Sequence, residues 1–430
     1  MGVVVNAAGR LGDNSFLWHV RAGTLQLDQG QVLRSDPFSF TMQGESWRTQ
    51  SWLAELLYGW LERATGGVGW HAMVAAIAGV LAIALVGLAV YAVVRSPEAT
   101  ALVLLPVMIV MFPALVPRPA VLALPLTAAV VLALSHRKLW WTVVPLIWVW
   151  AAVHGSFVFG LGLIVLEAVR HRDRRLGGVA MASAGVASLT AHGFAIWGIL
   201  FAFLSNREWL GIVSEWETAS PATVTGAVYL VVAAMAVAAA ATRHSGRSAW
   251  LVAVPVAVFG FAAARNLAPA VIVLALPAAT WLRGRFRSTR RQPLAVLNWA
   301  LAVLIVGGSF AYLVVSDGRI DQDRFPQGVV TAMAGAPAFH DDAFGGYVIY
   351  AAWPDQLVFI DDRVELYGEL FSAAAEAQRG EEYRRLFADY GLERAVTHRD
   401  GQLRLSLLRD GWVERETAGD YVLLEYEKAP

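Results

Sequence analysis

The sequence predicts a mainly α polytopic membrane protein carrying a C-terminal α/β domain outside the cytoplasm, and three observations carry that prediction. Hydrophobic residues make up 57% of the 430-residue chain and charged residues only 16%, with a mean hydropathy of +0.52; a soluble globule carries about 25% charged residues. The apolar residues gather into about ten long runs. The charge is also divided: the formal net charge is zero, yet residues up to 315 hold 22 basic and 12 acidic groups and residues 316–430 hold 12 and 22. Such a split marks a chain whose two parts face different surroundings.

A bilayer-crossing helix needs about 20 mainly apolar residues. The runs that qualify, allowing for shielded ends, are Val68–Val94, Ala99–Val116, Pro119–Leu134, Leu139–Val153, Ser156–Val169, Leu176–Ala191, Ala222–Ala241, Ala249–Ala264, Leu267–Leu282 and Leu294–Val315. The connections at Arg95, Arg137-Lys138, Arg170 to Arg175, Arg243 with Arg247, and Arg283 to Arg291 hold 14 basic residues against Glu98 and Asp173. Positive connections stay cytoplasmic, so the segment before Val68, the alternate turns and everything after Val315 are expected outside. The predicted organisation is an outer loop over residues 1–67 with two interfacial helices, a transmembrane helical domain over 68–315, and a soluble extracytoplasmic domain over 316–430. The expected location is the plasma (inner) membrane. Met1 to Arg10 can neither span a bilayer nor serve as a signal peptide, so a further spanning helix, missing from this chain, is expected to end near Asp13.

Composition limits the chemistry. Without cysteine there is no disulfide, thiolate nucleophile or Cys-ligated metal. Seventeen tryptophans suit two bilayer interfaces. With a balanced charge and basic residues in short connections, no nucleic-acid partner is expected. The chain holds no phosphate-cradling loop, dinucleotide fingerprint, paired-histidine zinc helix, nucleophile elbow or repeated broken helices.

The outer loop is patterned. Ser15–Gln29 has apolar residues at Phe16, Leu17, Val20, Leu25 and Leu27, a helical spacing suited to a membrane surface. Asp36-Pro37 marks a turn, Phe38–Thr41 alternates like a short strand, and Thr49–Arg63 returns to helical spacing. This layout sets Asp13, His19, Asp36 and Glu55 beside the bilayer. Each also has an ordinary reading: Asp36 as a turn former, Asp13 as a helix cap, His19 as a packed histidine, Glu55 as a partner for Arg48 or Arg63. Arg118 between two prolines, His154, His192, Glu215 and Arg265-Asn266 fall at predicted outer ends of spans. Long side chains can snorkel there, but the concentration of ionisable groups on one face, with almost none in mid-span, points to a site on that face.

From Ile320 the sequence reads as an α/β module. Tyr347–Ala352, Leu357–Ile360, Arg394–Thr397, Trp412–Glu416 and Tyr421–Tyr426 suit strands, and Leu366–Ala377 and Glu381–Tyr390 suit helices. Gly345-Gly346 reads as a turn that also lets a ligand approach the backbone. Asp361-Asp362-Arg363 at a strand end fits a bound divalent cation, sugar hydroxyls or an internal ion pair.

Taken in order, Asp13, Leu17-Trp18-His19, Gly23, Asp36-Pro37-Phe38-Ser39-Phe40-Thr41, Trp47, Trp52-Leu53-Ala54-Glu55, Arg118-Pro119, His154-Gly155, Glu215-Trp216, Arg265-Asn266, Gly345-Gly346-Tyr347, Phe359-Ile360-Asp361-Asp362-Arg363 and Tyr367-Gly368 resemble a family of bacterial multi-spanning proteins of the GT-C glycosyltransferase type. The resemblance implies an outer loop with a catalytic acid, a polyprenyl-phosphate sugar donor, an envelope glycan, lipid or protein acceptor, and a soluble domain after the last span. By position Asp13 matches the catalytic acid, with Asp36 the second candidate. Arg118, His154 and Arg265 are the cations suited to the donor phosphate, and His19, Glu55, Glu215, Asn266, Asp361, Asp362 and Arg363 are acceptor or supporting residues. A lipid-linked saccharide transporter and a non-catalytic envelope scaffold are the readings from other classes.

Overall fold

A computed structural model describes residues 11–205, 216–242, 249–283 and 319–427. The expected span Leu294–Val315, residues 284–291 of the basic stretch, Arg243, Arg247, Glu215 and the start Met1–Arg10 lie outside the described residues. The chain is 66% helix with a small C-terminal sheet. Its helices begin with α1 (Ser15–Gln29), α2 (Trp52–Thr65), α3 (Gly69–Val94), α4 (Pro97–Met111), α5 (Ala123–Ser135) and α6 (Val143–Val153). They continue with α7 (Phe157–His171), α8 (Arg174–Ala187), α9 (Ala195–Ser205), α10 (Val224–Ala240), α11 (Trp250–Ala262) and α12 (Leu267–Leu282). The last part holds α13 (Gln327–Met333), α14 (Asp342–Ala352), α15 (Val364–Tyr367), α16 (Glu369–Gln378), α17 (Tyr383–Tyr390), β1 (Arg394–His398), α18 (Gln402–Arg409), β2 (Trp412–Ala418) and β3 (Tyr421–Tyr426). Two compact units result: the described parts of Met1–Thr49, Glu55–Trp70 and Ser316–Pro430 in one, Gln50–Ala54 and His71–Val315 in the other.

The larger unit is helical, and its packing inverts the pattern of a water-soluble protein. Along α3, Ala75, Ala78, Ala82, Val86 and Val90 are buried while Ile77, Leu81 and Leu88 are exposed. Small residues inside let helices approach closely, and large apolar residues outside suit lipid. The same rule shapes the centre, where α12 packs against α4, α5, α10 and α11 and buries Ala268, Ala270, Val271, Ala275, Ala278 and Ala279. The Tyr229 hydroxyl of α10 donates to the carbonyls of Val256 and Ala257 on α11, at 3.1 and 3.0 Å.

Three helices, Gly69–Val94, Pro97–Ala114 and Ala264–Leu282, are long and apolar enough to cross a membrane; Pro119–Ser135, Val224–Ala240 and Trp250–Ala262 are shorter apolar helices. Several expected spans therefore appear as shorter helices, and local chemistry explains where they stop. Pro119 opens a 3-10 turn before α5. His154 leaves the helical conformation at the end of α6. Arg172 adopts a left-handed conformation that ends α7, and the Asp173 carboxylate accepts the Arg175 N–H at 2.8 Å to start α8. The helix Ala195–Ser205 was not expected from the sequence.

In the smaller unit the first loop and the C-terminal segment, separate in the sequence reading, fold together. Ser15–Gln29 is a helix as predicted, but it is buried on nearly all sides rather than along one stripe. On one side α1 crosses α2 backbone to backbone, since a Cβ at Gly23 would run into the Glu55 carbonyl and one at Gly59 into Gly23 itself. On another it meets α14, where a Cβ at Gly346 would strike the Asn14 carbonyl. Gly345-Gly346 is thus no turn: both glycines lie inside α14, and Gly345 lets Ile360 pass against the helix.

Tyr347–Ala352, expected as a strand, is the second half of α14, nucleated by the Asp341 carboxylate accepting the Phe344 N–H at 2.8 Å. Phe38–Thr41 and Leu357–Ile360 form no regular strands; they meet at one parallel bridge, Ser39 to Val358. The sheet is antiparallel in the order β1-β3-β2 with Val396 opposite Leu423, and both its faces are covered there: Ala395, Val422 and Leu424 are buried on one, Val396 and Leu423 on the other. The expected strands at Arg394–Thr397, Trp412–Glu416 and Tyr421–Tyr426 match β1, β2 and β3 within two residues.

Candidate functional site

One enclosed polar cluster centres on Arg363, which is 1% exposed. Its Nη1 donates to Asp36 Oδ1 at 2.7 Å, its Nε to Asp361 Oδ1 at 2.7 Å and its Nη2 to Asp361 Oδ2 at 2.6 Å. The Tyr367 hydroxyl also donates to Asp361, at 2.7 Å. Trp47, Phe38 and Trp18 surround the guanidinium with ring centroids at 4.6, 5.3 and 5.6 Å. Asp36 holds its own turn as well: it accepts the N–H groups of Phe38 and Ser39 and the Ser39 hydroxyl. The two ordinary readings of these residues, turn former and internal ion pair, hold together in one network. With Asp36 and Asp361 both buried and bonded, the cluster offers its polar atoms to itself.

A second buried group joins α1 to α2. Glu55 is fully buried and takes His19 Nδ1 at 2.8 Å, Gln26 Nε2 at 2.6 Å and the Thr49 hydroxyl. Its partners are therefore not Arg48 or Arg63; Arg63 pairs instead with Asp28. His19 stacks on Trp18 with centroids 3.5 Å apart.

The start of α1 is different. Asp13 is half-buried; its carboxylate accepts the Phe16 N–H at 3.2 Å and lies close enough to the buried Tyr58 that, after burial itself, it pushes the phenol further up. Next to it, Asn14 donates to the Asp342 carbonyl at 3.4 Å. The Trp18 indole donates to Asp362 Oδ1 at 2.6 Å. Asp342 and Asp362 are half-buried like Asp13. Burial, with Asp341 and then Asp361 nearby, pushes the Asp342 carboxyl up to about 6. Around one helix N-terminus, then, stand carboxylates with some access to solvent, one of them titrating near neutrality, the property expected of a group that handles protons.

The larger unit holds the cationic candidates. Arg118 starts the 3-10 turn Pro119–Leu122 from an extended conformation and is half-buried. His154 Nδ1 faces the Ser156 hydroxyl at 2.8 Å and accepts the Ser156 N–H at 3.1 Å, which leaves Nε2 to carry the proton of a neutral ring. Arg265 lies 4.5 Å from the centre of the Trp216 ring. Asn266 donates to the Phe259 carbonyl at 3.0 Å and so fixes the corner between α11 and α12. Glu215 is outside the described residues.

Several participants escaped the sequence reading. Asp341 caps α14, pairs with His398 at 3.0 Å and accepts from the Tyr421 hydroxyl. His340, fully buried, bonds the Asp341 carbonyl through Nδ1 and accepts the Phe359 N–H through Nε2, and burial holds its pKa down. The dipeptide Asp341-Asp342 ahead of a glycine pair was the available signal. Among the described residues no group of three or more His, Asp or Glu has the arrangement of a metal site, and Asp361 spends its oxygens on Arg363 and Tyr367. No family model matches the chain, and no curated protein matches it either.

Proposed function

We propose that this protein is a membrane glycosyltransferase that moves a sugar from a polyprenyl-phosphate donor to an envelope acceptor, with Asp13 as the base. What supports the reading is a contrast among the acids of the first loop and tail. Asp36, Glu55 and Asp361 are buried within internal networks, whereas Asp13, half-buried like Asp342 and Asp362, stands at the start of α1 where the resemblance puts the catalytic acid. In the reaction the acceptor hydroxyl gives its proton to the Asp13 carboxylate as its oxygen bonds the anomeric carbon. The bond from that carbon to the phosphate breaks, and polyprenyl phosphate leaves as an anion. General-base help of this kind is worth about 10²–10⁴-fold. Arg118 and Arg265 are the cations suited to the phosphate charge, with His154 as a neutral hydrogen-bond donor. Asp36, Asp361 and Arg363 become anchors of the fold rather than acceptor ligands.

The same reading places about ten spans in the inner membrane, with the smaller unit outside the cytoplasm, on the charge asymmetry of the connections. A reporter active only outside the cytoplasm should work fused after Pro430 and fail fused within Arg283–Arg291. Reversed signals would remove the outer-face assignment.

The chemical test is Asp13→Asn in purified protein reconstituted with a polyprenyl-phosphate sugar. Transfer should fall by about 10²-fold or more while donor binding and the melting temperature stay near those of the unmodified chain. Transfer at the original rate would pass the role to another carboxylate. One observation favours a second reading, a non-catalytic envelope scaffold: the residues Asp361 and Arg363, expected at an acceptor site, are consumed in the core. Unmodified protein that binds envelope components but turns over no donor would select it.

A further inference from the structure

On the smaller unit, away from the start of α1, a groove of about 600 Å³ runs between α17 and the sheet, within the range of small-ligand clefts of about 300–1,000 Å³. Its wall is a chain of four rings. Tyr383 lies 5.6 Å from Phe387, Phe387 5.5 Å from Trp412, and Trp412 5.6 Å from Tyr426. Trp412 and Tyr426 face each other across the β2–β3 pairing. The first three rings are buried, but Tyr426 is 45% exposed. Beside them Arg384 Nε and Nη2 grip Asp410 at 2.6 and 2.8 Å. Arg384, and then the Tyr383 hydroxyl, hold the Asp410 carboxyl down to about 2, so the pair stays ionised at physiological pH.

This combination selects among ligands. An apolar chain laid in the groove would strip water from the ion pair without replacing its hydrogen bonds, which is costly. A polyanion would meet two carboxylates of the lining, Glu393 and Asp410, against the one guanidinium of Arg384. A sugar ring satisfies both halves: its C–H face is electropositive and suits the negative face of an aromatic ring, and its hydroxyls both donate and accept, as a carboxylate and a guanidinium require.

We propose that this groove binds a neutral saccharide, stacked on Tyr426 beside Trp412 with its hydroxyls on Arg384 and Asp410. The site goes beyond the transferase reading and does not rest on it, because binding here needs no donor and no transfer. The two can fail separately.

The experiment uses the full chain in lipid nanodiscs free of glycoside detergent, with maltotriose, cellotriose and triacetylchitotriose as probes in saturation-transfer NMR. At least one should bind saturably, and Tyr426→Ala should weaken it about tenfold, the loss of roughly one good contact. Tyr426→Phe should retain the ring and the binding. Arg384→Ala, on a side chain 73% exposed, should weaken the same probe and decides the matter if Tyr426→Ala fails to fold. The proposal is overturned if none of the saccharides binds saturably. It is equally overturned if binding ignores the folded variants, or if a tripeptide such as Ala-Trp-Ala binds in preference to every sugar.

Discussion

Two sets of carboxylates in the smaller unit differ in their relation to one buried cation. Asp36 and Asp361 are almost wholly enclosed, and both are hydrogen-bonded to Arg363, whose own pKa rises well above its ordinary value despite burial because these acids and Tyr367 surround it. Asp342 and Asp362 stand nearby and are less enclosed. The Arg363 fork is directed at the first set, while Asp362 receives the Trp18 indole and Asp342 is pushed up to about 6. The acids gripped by the buried guanidinium belong to the core, and the acid that burial pushes up lies outside that grip.

The largest way to break this comparison is to remove the cation. Arg363→Met should destabilise the smaller unit by about 3–5 kcal/mol, since it leaves two buried carboxylates without their partner. Arg363→Lys should recover only part of that, because an ammonium cannot fork to Asp36 and Asp361 together. Limited proteolysis and thermal melting of the reconstituted protein would measure both. A melting temperature unchanged in Arg363→Met would dissolve the distinction between the two sets.

A smaller effect sharpens it from the other side. The folded pKa of Asp342 lies above its ordinary value of 3.8, at about 6. A raised folded pKa contributes stability that is complete below the unfolded value and is lost as pH rises from about 4 through about 6. Asp342→Asn should therefore stabilise the protein at pH 7 by up to about 3 kcal/mol and flatten the pH profile between those values, because each pH step of one between them is worth about 1.4 kcal/mol. Equal melting profiles for the two proteins from pH 4 to pH 7 would make Asp342 an ordinary surface acid.

The least effect concerns His398. Its hydrogen bond to Asp341 raises its pKa, so it stabilises the fold below the ordinary histidine range, about 6.5, and that contribution fades as pH rises through the folded value. The ring is half exposed, which limits the contribution to about 1 kcal/mol or less. His398→Gln should lower stability at pH 5.5 and leave it unchanged at pH 8.5. An equal loss at both values would mean that the ring acts by packing on Tyr421, 4.4 Å away, rather than by its charge.

Helix α1 and strands β1 to β3 were legible because each follows a local rule: apolar residues at helical spacing over Ser15–Gln29, and β-branched and aromatic runs bounded by turns in the last segment. The segment Tyr347–Ala352 was not, since Val348, Ile349 and Tyr350 favour strand by propensity. A cap at Asp341 and the fit of Gly345 and Gly346 against neighbouring backbone override that preference. Asp361-Asp362-Arg363 announced itself as a charged cluster, but its three members divide between two environments. The third turns inward and joins the first to Asp36, and the middle one meets Trp18.

By itself the sequence determined the helical class, the apolar helices long enough to cross a membrane, the charge asymmetry and a set of polar residues worth attention, because composition and periodicity act within a few turns of chain. Only the tertiary structure decided that the first loop and the C-terminal segment are one unit, that Asp36 meets Arg363 across a separation of 327 residues, and which carboxylates keep some access to water. Those outcomes depend on what each side chain is packed against, and for an ionisable group the packing partner, more than its neighbours in sequence, sets whether it is locked into a buried ion pair or keeps contact with water.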